Sequence, residues 1–300
     1  MQSENRKKLR YLDPEILQKI GSLELVAGQI VEGLRVGMHK SPIHGSSTEF
    51  KHHRAYVPGD NLKHLDWRVY ARTRRYYIRL YEAETNFDAT LLLDASSSMR
   101  YSSHHISKME YAKYLAACMA HLIVKQQDSV GLAVFDDKLR SYIEAKSSPS
   151  VIRDIASALD QAQPEPRTNI EALLHDFAGR LRRRGIVLLF SDLFDSVEGF
   201  IKGLNHLRYC GHSVTVFHVL DPYELTFPFQ GASRFKSLEG PDELLTDPGR
   251  IRKAYLSELE KYLTVVRKAC AKVGADHVLV DTSRPIDETL SNYLIKRMRG

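Results

Sequence analysis

Cysteine is scarce in this sequence, which has three, Cys118, Cys210 and Cys270, with no C-x-x-C spacing. The spacing excludes a disulfide framework and a zinc knuckle, so we expect reduced and mostly buried thiols. Long apolar runs are absent too: no segment approaches the roughly 18 apolar residues of a membrane span. The N-terminal MQSENRKKLR lacks the apolar core of a signal peptide. These absences predict a cytoplasmic protein without a membrane span.

A strong excess of charge of one sign is also missing. Lys and Arg number 43 against 37 Asp and Glu, which gives a net charge of +6 and a pI near 9.1. The basic clusters are short: RLRRRG (180–185) ends a predicted helix, and ARTRRYYIRLY (71–81) interleaves arginine with tyrosine. We interpret the first as a solvated helix end, where cations are favourable, and the second as a solvated strand face. Nucleic-acid binding through the arginine-tyrosine segment is the less favoured alternative.

What is present is enough apolar sequence for a large core, since 43% of 300 residues are hydrophobic. From residue 87 onward, continuous apolar strands alternate with amphipathic helices. The predicted strands are FDATLLLD, SVGLAVFD, IVLLFSD, SVTVFHVLD and DHVLVD, with LRSYIEA as a hairpin or edge partner. Strands buried on both faces and separated by helices predict an α/β fold, a doubly wound and mostly parallel sheet flanked by helices.

The chain divides into two parts on this pattern. Residues 1–85 hold a predicted helix at 13–35 and then a turn-rich module of short strands and loops at 45–84. This module carries the only tryptophan, Trp67, which we expect to be buried as an aromatic anchor. Residues 86–300 form the α/β domain, with a loop and strand insertion at about 222–248.

Oxygen-bearing side chains follow the strands of the α/β domain. LLLDASSSMR places Asp94, Ser96 and Ser98 at alternate positions after one strand, and Asp192 ends another. Thr168 stands at the mouth of a helix after a long loop. In a doubly wound sheet such residues gather beyond the carboxyl ends of the strands, and an oxygen-only set suits Mg²⁺ or Mn²⁺ with water completing the shell.

Each of these residues also has a purely structural interpretation. The serines after Asp94 would cap the following helix, a role that serine performs well. Thr168 would form a capping box with Glu171, and Asp192 would cap the helix that begins near Ser196. Capping and metal ligation are compatible, so both interpretations stay open.

The spacing D-x-S-x-S, then Thr, then Asp at a strand end resembles the metal-ion-dependent adhesion site of von Willebrand factor A-type domains. TNIEALL and FSDL also look like the flanks of that family's motif. The resemblance implies that Ser96 and Ser98 ligate the ion directly and that Thr168 does so directly or through water. It implies mostly water-mediated roles for Asp94 and Asp192.

A second resemblance covers the preceding module. The segment STEFKHHRAYVPGDNLKHLDWRVYARTRRYYIRLYEAE looks like the signature of the bacterial domain-of-unknown-function family fifty-eight. The matching residues are Phe50, Arg54, Tyr56, Pro58, Gly59, Asp60, Asp66, Trp67, Ala71, Arg72 and Glu84. The resemblance implies a MoxR-type AAA+ ATPase as partner, for which the protein would act as an adaptor toward a client protein.

An enzymatic function finds little support in the motifs. The sequence has no G-x-S-x-G elbow, no phosphate-binding G-x-x-x-x-G-K-[ST] and no G-x-G-x-x-G. A haloacid-dehalogenase-like phosphatase would need a carboxylate where this chain has Ser96, and the pairs His52-His53 and His104-His105 lack zinc-site spacing. We therefore predict a non-enzymatic, metal-dependent protein-interaction module, with a Mg²⁺-dependent hydrolase as a weaker alternative.

Overall fold

A computed structural model describes residues 48–57, 65–83, 87–164, 170–181, 183–194, 196–238 and 243–299 of the chain. Residues 48–83 belong to one compact unit and residues 87–299 to another. The predicted helix at 13–35 lies outside the described residues, as does Thr168.

The larger unit is built on a six-stranded sheet within its described ranges. In chain order the strands are β3 (Asp88–Asp94), β4 (Ser129–Phe135), β5 (Leu139–Lys146), β6 (Gly185–Ser191), β7 (Ser213–Leu220) and β10 (Asp276–Asp281). Their spatial order is β10-β7-β6-β3-β4-β5, and all pairs are parallel except β4 with β5. The predicted α/β class is confirmed in this form: a mostly parallel sheet flanked by helices, with LRSYIEA as its antiparallel edge.

Helices cover both faces of this sheet. They are α2 (Lys108–Lys125), α3 (Ser150–Gln161), α4 (Ile170–Arg180), α5 (Val197–Tyr209), α7 (Pro248–Val273) and α8 (Ile286–Arg299). Helix α2 packs on β3, β4, β6 and β7, and α3 and α8 pack beside it. On the opposite face, apolar residues of α4, α5 and α7 form one core cluster with Leu92, Phe135 and Leu189 of the sheet. The purely apolar strand runs follow from this burial on two sides.

Helices α4 and α5 approach each other closely because α5 carries glycine where they meet. A Cβ atom built on Gly203 would lie 2.6 Å from Cβ of Leu174, and one on Gly199 would lie 2.9 Å from Cβ of Glu171. Real side chains do not tolerate such separations, so both positions require glycine at this crossing.

The segment between β7 and α7 contains a short helix, α6 (Pro222–Thr226), and a two-stranded hairpin of β8 (Ser233–Lys236) and β9 (Glu243–Thr246). An aromatic cluster fills the space between them: Phe227 stacks on Tyr255 at 4.4 Å and on Phe235 at 5.6 Å. This is the segment predicted as an insertion of small strands and loops.

The smaller unit contains an antiparallel ribbon of β1 (Thr48–Ala55) and β2 (Tyr77–Ala83), with a seven-residue helix, α1 (Trp67–Thr73), before β2. Asp66 caps α1 by accepting hydrogen bonds from the amides of Arg68 and Val69. The prediction that Trp67 is buried is wrong, because its side chain is 62% exposed. Trp67 is the first residue of a helix without buried residues, and its ring meets Tyr70 only edge-on.

Candidate functional site

The candidate site lies where the direction of strand addition reverses. The chain passes from β3 to β4 on one side and later from β6 to β7 on the other, while β3 and β6 are direct neighbours. Ligands of open α/β sheets bind at this point, beyond the carboxyl ends of the strands. Asp94 is the last residue of β3, Ser191 is the last residue of β6, and Asp192 follows it. Two predicted carboxylates therefore reach the same edge of the sheet.

Hydrogen bonds within the loop after β3 and from the end of β6 hold the oxygens of this loop. The carboxylate of Asp94 accepts from the amide of Ser96 at 2.9 Å and from the hydroxyl of Ser191. The Oγ atoms of Ser96 and Ser98 lie 3.0 Å apart. All of these side chains are at least nine-tenths buried, and Ser97 Oγ has no hydrogen-bond partner within the described part of the chain. Buried hydroxyls gathered beside a carboxylate need a polar neighbour of their own.

The structural role proposed for these serines belongs to another residue. Helix α2 is capped by Ser107, whose side chain accepts from the amide of Glu110 at 3.2 Å. Ser97–Arg100 form a 3-10 turn, and the side chain of Ser96 makes no capping hydrogen bond to it. Ser96 and Ser98 are therefore available for a role other than capping.

The donor set fits a small hard cation. Oxygen ligands of Mg²⁺ lie about 2.0–2.1 Å from the ion at octahedral angles, so two neighbouring ligand oxygens are about 3 Å apart. The two serine hydroxyls meet this condition, and Asp94 and Asp192 supply the carboxylates. Among the described residues, no three His, Cys, Asp or Glu side chains are grouped to hold a metal, so any site here depends on the hydroxyls.

The electrostatics of the site are those of two carboxylates brought together away from water. Burial, followed by repulsion from Asp192, raises the pKa of Asp94 to about 7, against the lowering effect of the hydrogen bonds from Ser191 and Ser96. Positive charge placed between the two carboxylates would favour their ionised forms.

Asp192 already has one cationic neighbour, Lys108, which the sequence analysis did not single out. Nζ of Lys108, the first residue of α2, lies 2.7 Å from Oδ2 of Asp192 and 2.7 Å from Oε1 of Glu224. The Lys108 side chain is 1% exposed and its ammonium stands 4.9 Å from the ring centre of Phe194. Burial lowers the pKa of Lys108, but the attraction of Asp192 and Glu224 outweighs it and the pKa is raised.

Glu224 and its neighbour Asp221 connect the site to the segment after β7. The two form a capping box on α6: Asp221 accepts from the amide of Tyr223, and Glu224 accepts from the amide of Asp221, both at 2.8 Å. Asp221 also accepts from the amide of Ser103 at 2.9 Å, which fixes the loop before α2. A continuous network thus runs from Asp192 through Lys108 to α6.

The turn after β6 is held in a strained conformation. Leu193 has φ of 55°, which is unfavourable for a residue with a branched side chain, and its side chain is buried. Its amide donates to Ser191 Oγ at 2.9 Å, and its carbonyl accepts from the hydroxyl of Tyr262. The backbone carbonyl of Asp192 lies 2.9 Å from Nε2 of the buried His218. These contacts fix the backbone of the turn that carries Asp192.

Comparison with known proteins identifies the family. The model described as protein of unknown function DUF58 matches residues 52–262. The chain belongs to this family. Membership confirms the family predicted from the signature around Trp67.

Uncharacterized proteins of Mycobacterium tuberculosis and Mycobacterium bovis are 25% identical to the chain over 296 residues, covering 96% of it and 92% of their own length. Among solved structures, the conserved hypothetical protein BatB from Bacteroides thetaiotaomicron is 16% identical over 71% of this chain and 100% of its own, with a TM-score of 0.46. An aerotolerance-related membrane protein from Bacteroides fragilis is 18% identical over 70% of this chain and 99% of its own, with a TM-score of 0.47. Both TM-scores are too low to establish a common fold.

In the described ranges, no helix has the length and apolar character needed to cross a bilayer.

Proposed function

We propose that the protein is a non-enzymatic interaction module of the von Willebrand factor A-like kind, which binds a partner through Mg²⁺ or Mn²⁺ at the carboxyl edge of β3 and β6. The observation that carries the proposal is the 3.0 Å separation of the Ser96 and Ser98 hydroxyls beside the buried Asp94. Ser96 and Ser98 would ligate the ion directly, and Thr168 would complete the set directly or through water. When bound, the ion supplies positive charge and coordination positions for an outside carboxylate.

The polar residues of the edge are already engaged with one another or enclosed. Asp192 is paired with Lys108, and Asp94 is bonded to Ser191 and the Ser96 amide. His218 is fully buried, and burial followed by the nearby His277 lowers its pKa to about 3. A general base must reach the reacting water and accept its proton, and each of these groups is already engaged or enclosed. This supports binding rather than hydrolysis.

The partner that we propose is a MoxR-type AAA+ ATPase, with the protein acting as its cytoplasmic adaptor toward a client. This part of the proposal rests on family membership. An exposed carboxylate of the ATPase completing the metal's coordination shell would give a contact that depends on the cation. Such a contact would be stronger than a surface salt bridge, which contributes roughly 0–1 kcal/mol.

The first test is calorimetric titration of the purified full chain with MgCl₂ and MnCl₂. We expect wild type to bind the ion weakly, because water fills part of the proposed coordination shell. We expect Asp94→Ala, Ser96→Ala and Thr168→Ala to lose binding, because each removes one of the proposed oxygen groups. Asp154→Ala and Ser257→Ala, which remove an exposed carboxylate and an exposed hydroxyl, serve as controls and should bind like wild type. Equal affinity in all six proteins would refute the metal site.

The second test separates adaptor from enzyme. A purified MoxR-type ATPase should bind the wild-type protein when Mg²⁺ is present and should not bind it in the presence of a chelator. It should not bind the Thr168→Ala variant even with Mg²⁺. Phosphatase and nuclease assays should show no turnover. Turnover that requires Mg²⁺ and disappears in Asp94→Asn would establish a hydrolase instead.

A second candidate function, nucleic-acid binding, is favoured by the surface of α1. Trp67 is 62% exposed among exposed arginines, and the rings of Tyr70 and Tyr76 stack at 4.6 Å. Exposed aromatics beside arginine are the elements of a single-strand binding surface. This candidate predicts affinity for single-stranded DNA that falls steeply with salt and is lost in Trp67→Ala.

A further inference from the structure

Lys108 occupies an unusual place for a lysine. It is the first residue of α2, where the helix dipole disfavours positive charge, and it is 1% exposed. Lysine is almost never fully buried unless it is paired. Its two partners lie 84 and 116 residues further along the chain: Asp192 follows β6, and Glu224 is in α6. A buried cation held by two carboxylates at the edge of a candidate metal site requires an explanation beyond helix formation.

We propose that the Lys108 ammonium is an internal competitor for the metal ion, which occupies Asp192 in the metal-free protein and keeps the affinity for divalent cations low. This inference rests on the proposed function, because it concerns the same edge of the sheet. In this proposal Lys108 sets the affinity of the site for the divalent cation without being one of its ligands.

The competition follows from charge. Oδ2 of Asp192 is 2.7 Å from an ammonium, so this oxygen cannot also give its full charge to a divalent ion or to an ion-bound water. A divalent ion at the same edge would also be repelled by the ammonium across a buried medium, where unit charges a few ångströms apart interact strongly. Removing the ammonium should therefore tighten metal binding.

Glu224 makes the competition reversible. Because Lys108 bonds to both carboxylates, it keeps one partner when Asp192 turns to the metal. Oε2 of Glu224 is fixed by the amide of Asp221, so Glu224 stays in place to receive the full charge of the ammonium. Without this carboxylate, Lys108 would depend on Asp192 alone, and the metal would compete less well.

A purely structural role for Lys108 predicts something different. A buried ion pair that only stabilises the fold would lose stability on removal of the lysine, with metal affinity unchanged or reduced. The competitor role predicts loss of stability without metal together with a gain in affinity. The variant would leave the carboxylates of Asp192 and Glu224, which are 2% and 15% exposed, without their cation. Added Mg²⁺ should therefore also restore more thermal stability to it than to wild type.

The experiment titrates wild type, Lys108→Met, Lys108→Arg and Glu224→Gln with MgCl₂ and MnCl₂, and records melting temperatures with and without each salt. We expect Lys108→Met to bind at least about tenfold more tightly than wild type and Glu224→Gln roughly threefold more weakly. Lys108→Arg should stay within about threefold of wild type, because it keeps the charge. The control is Lys202→Met, since Lys202 pairs with Glu171 at 3.1 Å on the surface, where its side chain is 66% exposed; it should bind like wild type.

Unchanged or weaker affinity in folded Lys108→Met would overturn the inference. If that variant does not fold, as judged by circular dichroism, Glu224→Gln decides, and affinity equal to or above wild type overturns it. The outcomes also separate the two proposals. If wild type binds the metal, Ser96→Ala does not, and Lys108→Met binds with the affinity of wild type, the competitor role is refuted and the proposed metal site stands. When no protein in the series binds at millimolar salt, both proposals fail.

Discussion

Replacing Ser191 with alanine tests how the edge of the sheet is held together. The Ser191 hydroxyl is fully buried, donates to the carboxylate of Asp94 and accepts from the amide of Leu193. It therefore joins the end of β3 to the turn that carries Asp192. The substitution removes one oxygen and leaves both partners without this bond.

The expected loss of stability can be worked out from these two bonds. A hydrogen bond to a charged group contributes about 1.5–3 kcal/mol, and one that satisfies a buried amide about 1 kcal/mol. The cavity left by a single oxygen adds little. We expect Ser191→Ala to lower the free energy of unfolding by about 2.5–4 kcal/mol at pH 8, where Asp94, with its pKa of about 7, is ionised. Metal affinity should fall as well, because the position of Asp94 is less well fixed.

Urea unfolding followed by circular dichroism measures the first effect and calorimetric titration the second. Ser257→Ala, which removes an exposed hydroxyl from the middle of α7, is the control and should change stability by less than about 0.5 kcal/mol. A loss below about 1 kcal/mol in Ser191→Ala would show that the hydroxyl does not join the two strands as described.

Two further predictions concern the packing and the pH dependence of the sheet. Gly203→Ala should destabilise the fold by about 1–3 kcal/mol in urea unfolding, because its Cβ would overlap Leu174. The control is Gly179→Ala, whose Cβ meets no atom within 4 Å, and it should be neutral or stabilising. Equal effects of the two substitutions would contradict the close crossing of α4 and α5. Burial and two nearby cations lower the pKa of His277 to about 4. In the unfolded chain the pKa of this histidine is near 6.5, so the unfolded state binds a proton first as the pH falls. The free energy of unfolding therefore decreases as the pH drops below about 6.5. Between pH 7 and pH 5 wild type should lose about 1 kcal/mol more than His277→Asn, after allowance for partial exposure of the ring; parallel losses would contradict this. The charged and titratable groups facing His277 are His218, Arg267 and Lys296.

The sheet was predictable because its strands carry an unambiguous signal. Runs such as Leu91–Leu93 are apolar on both faces, which only a strand covered by helices on two sides requires. The edge strand β5 alternates between half-buried and exposed residues, so it too could be distinguished from the central strands. Where the pattern was regular, local sequence and tertiary burial agreed.

The smaller unit shows where composition fails. Trp67 was expected to be buried because it is large and apolar, but a short helix buries only those side chains that a neighbouring element covers. The residue at the first position of α1 has its ring edge against Tyr70 and most of its surface exposed. Whether a single aromatic packs or protrudes depends on contacts that are distant in sequence, and no periodicity in residues 45–84 indicated them.

Half of the residues of the candidate site could be predicted from the sequence, because their positions follow from the predicted strands. Asp94, Ser96, Ser98 and Asp192 lie at or shortly after strand ends, and parallel strands bring those ends to one edge. Ser191 lay next to a predicted ligand, yet its bond to Asp94 spans 97 residues and depends on the pairing of β3 with β6. Pairing between strands is a tertiary fact that the motif alone does not contain.

Lys108 left a weaker trace that could have been followed. Positive charge at the first position of a helix opposes the helix dipole, so a lysine there either points into solvent or has carboxylates close by. Met109, Ala112 and Ala116 mark the apolar stripe of α2, which places Lys108 beside the buried face rather than opposite it. A lysine at that position, in a chain whose strand ends carry two carboxylates, predicts a buried ion pair at the same edge. The conflict between the helix dipole and the position of Lys108 beside the apolar stripe is thus itself a sequence signal, and it indicates the residue that we propose sets the affinity of the proposed metal site.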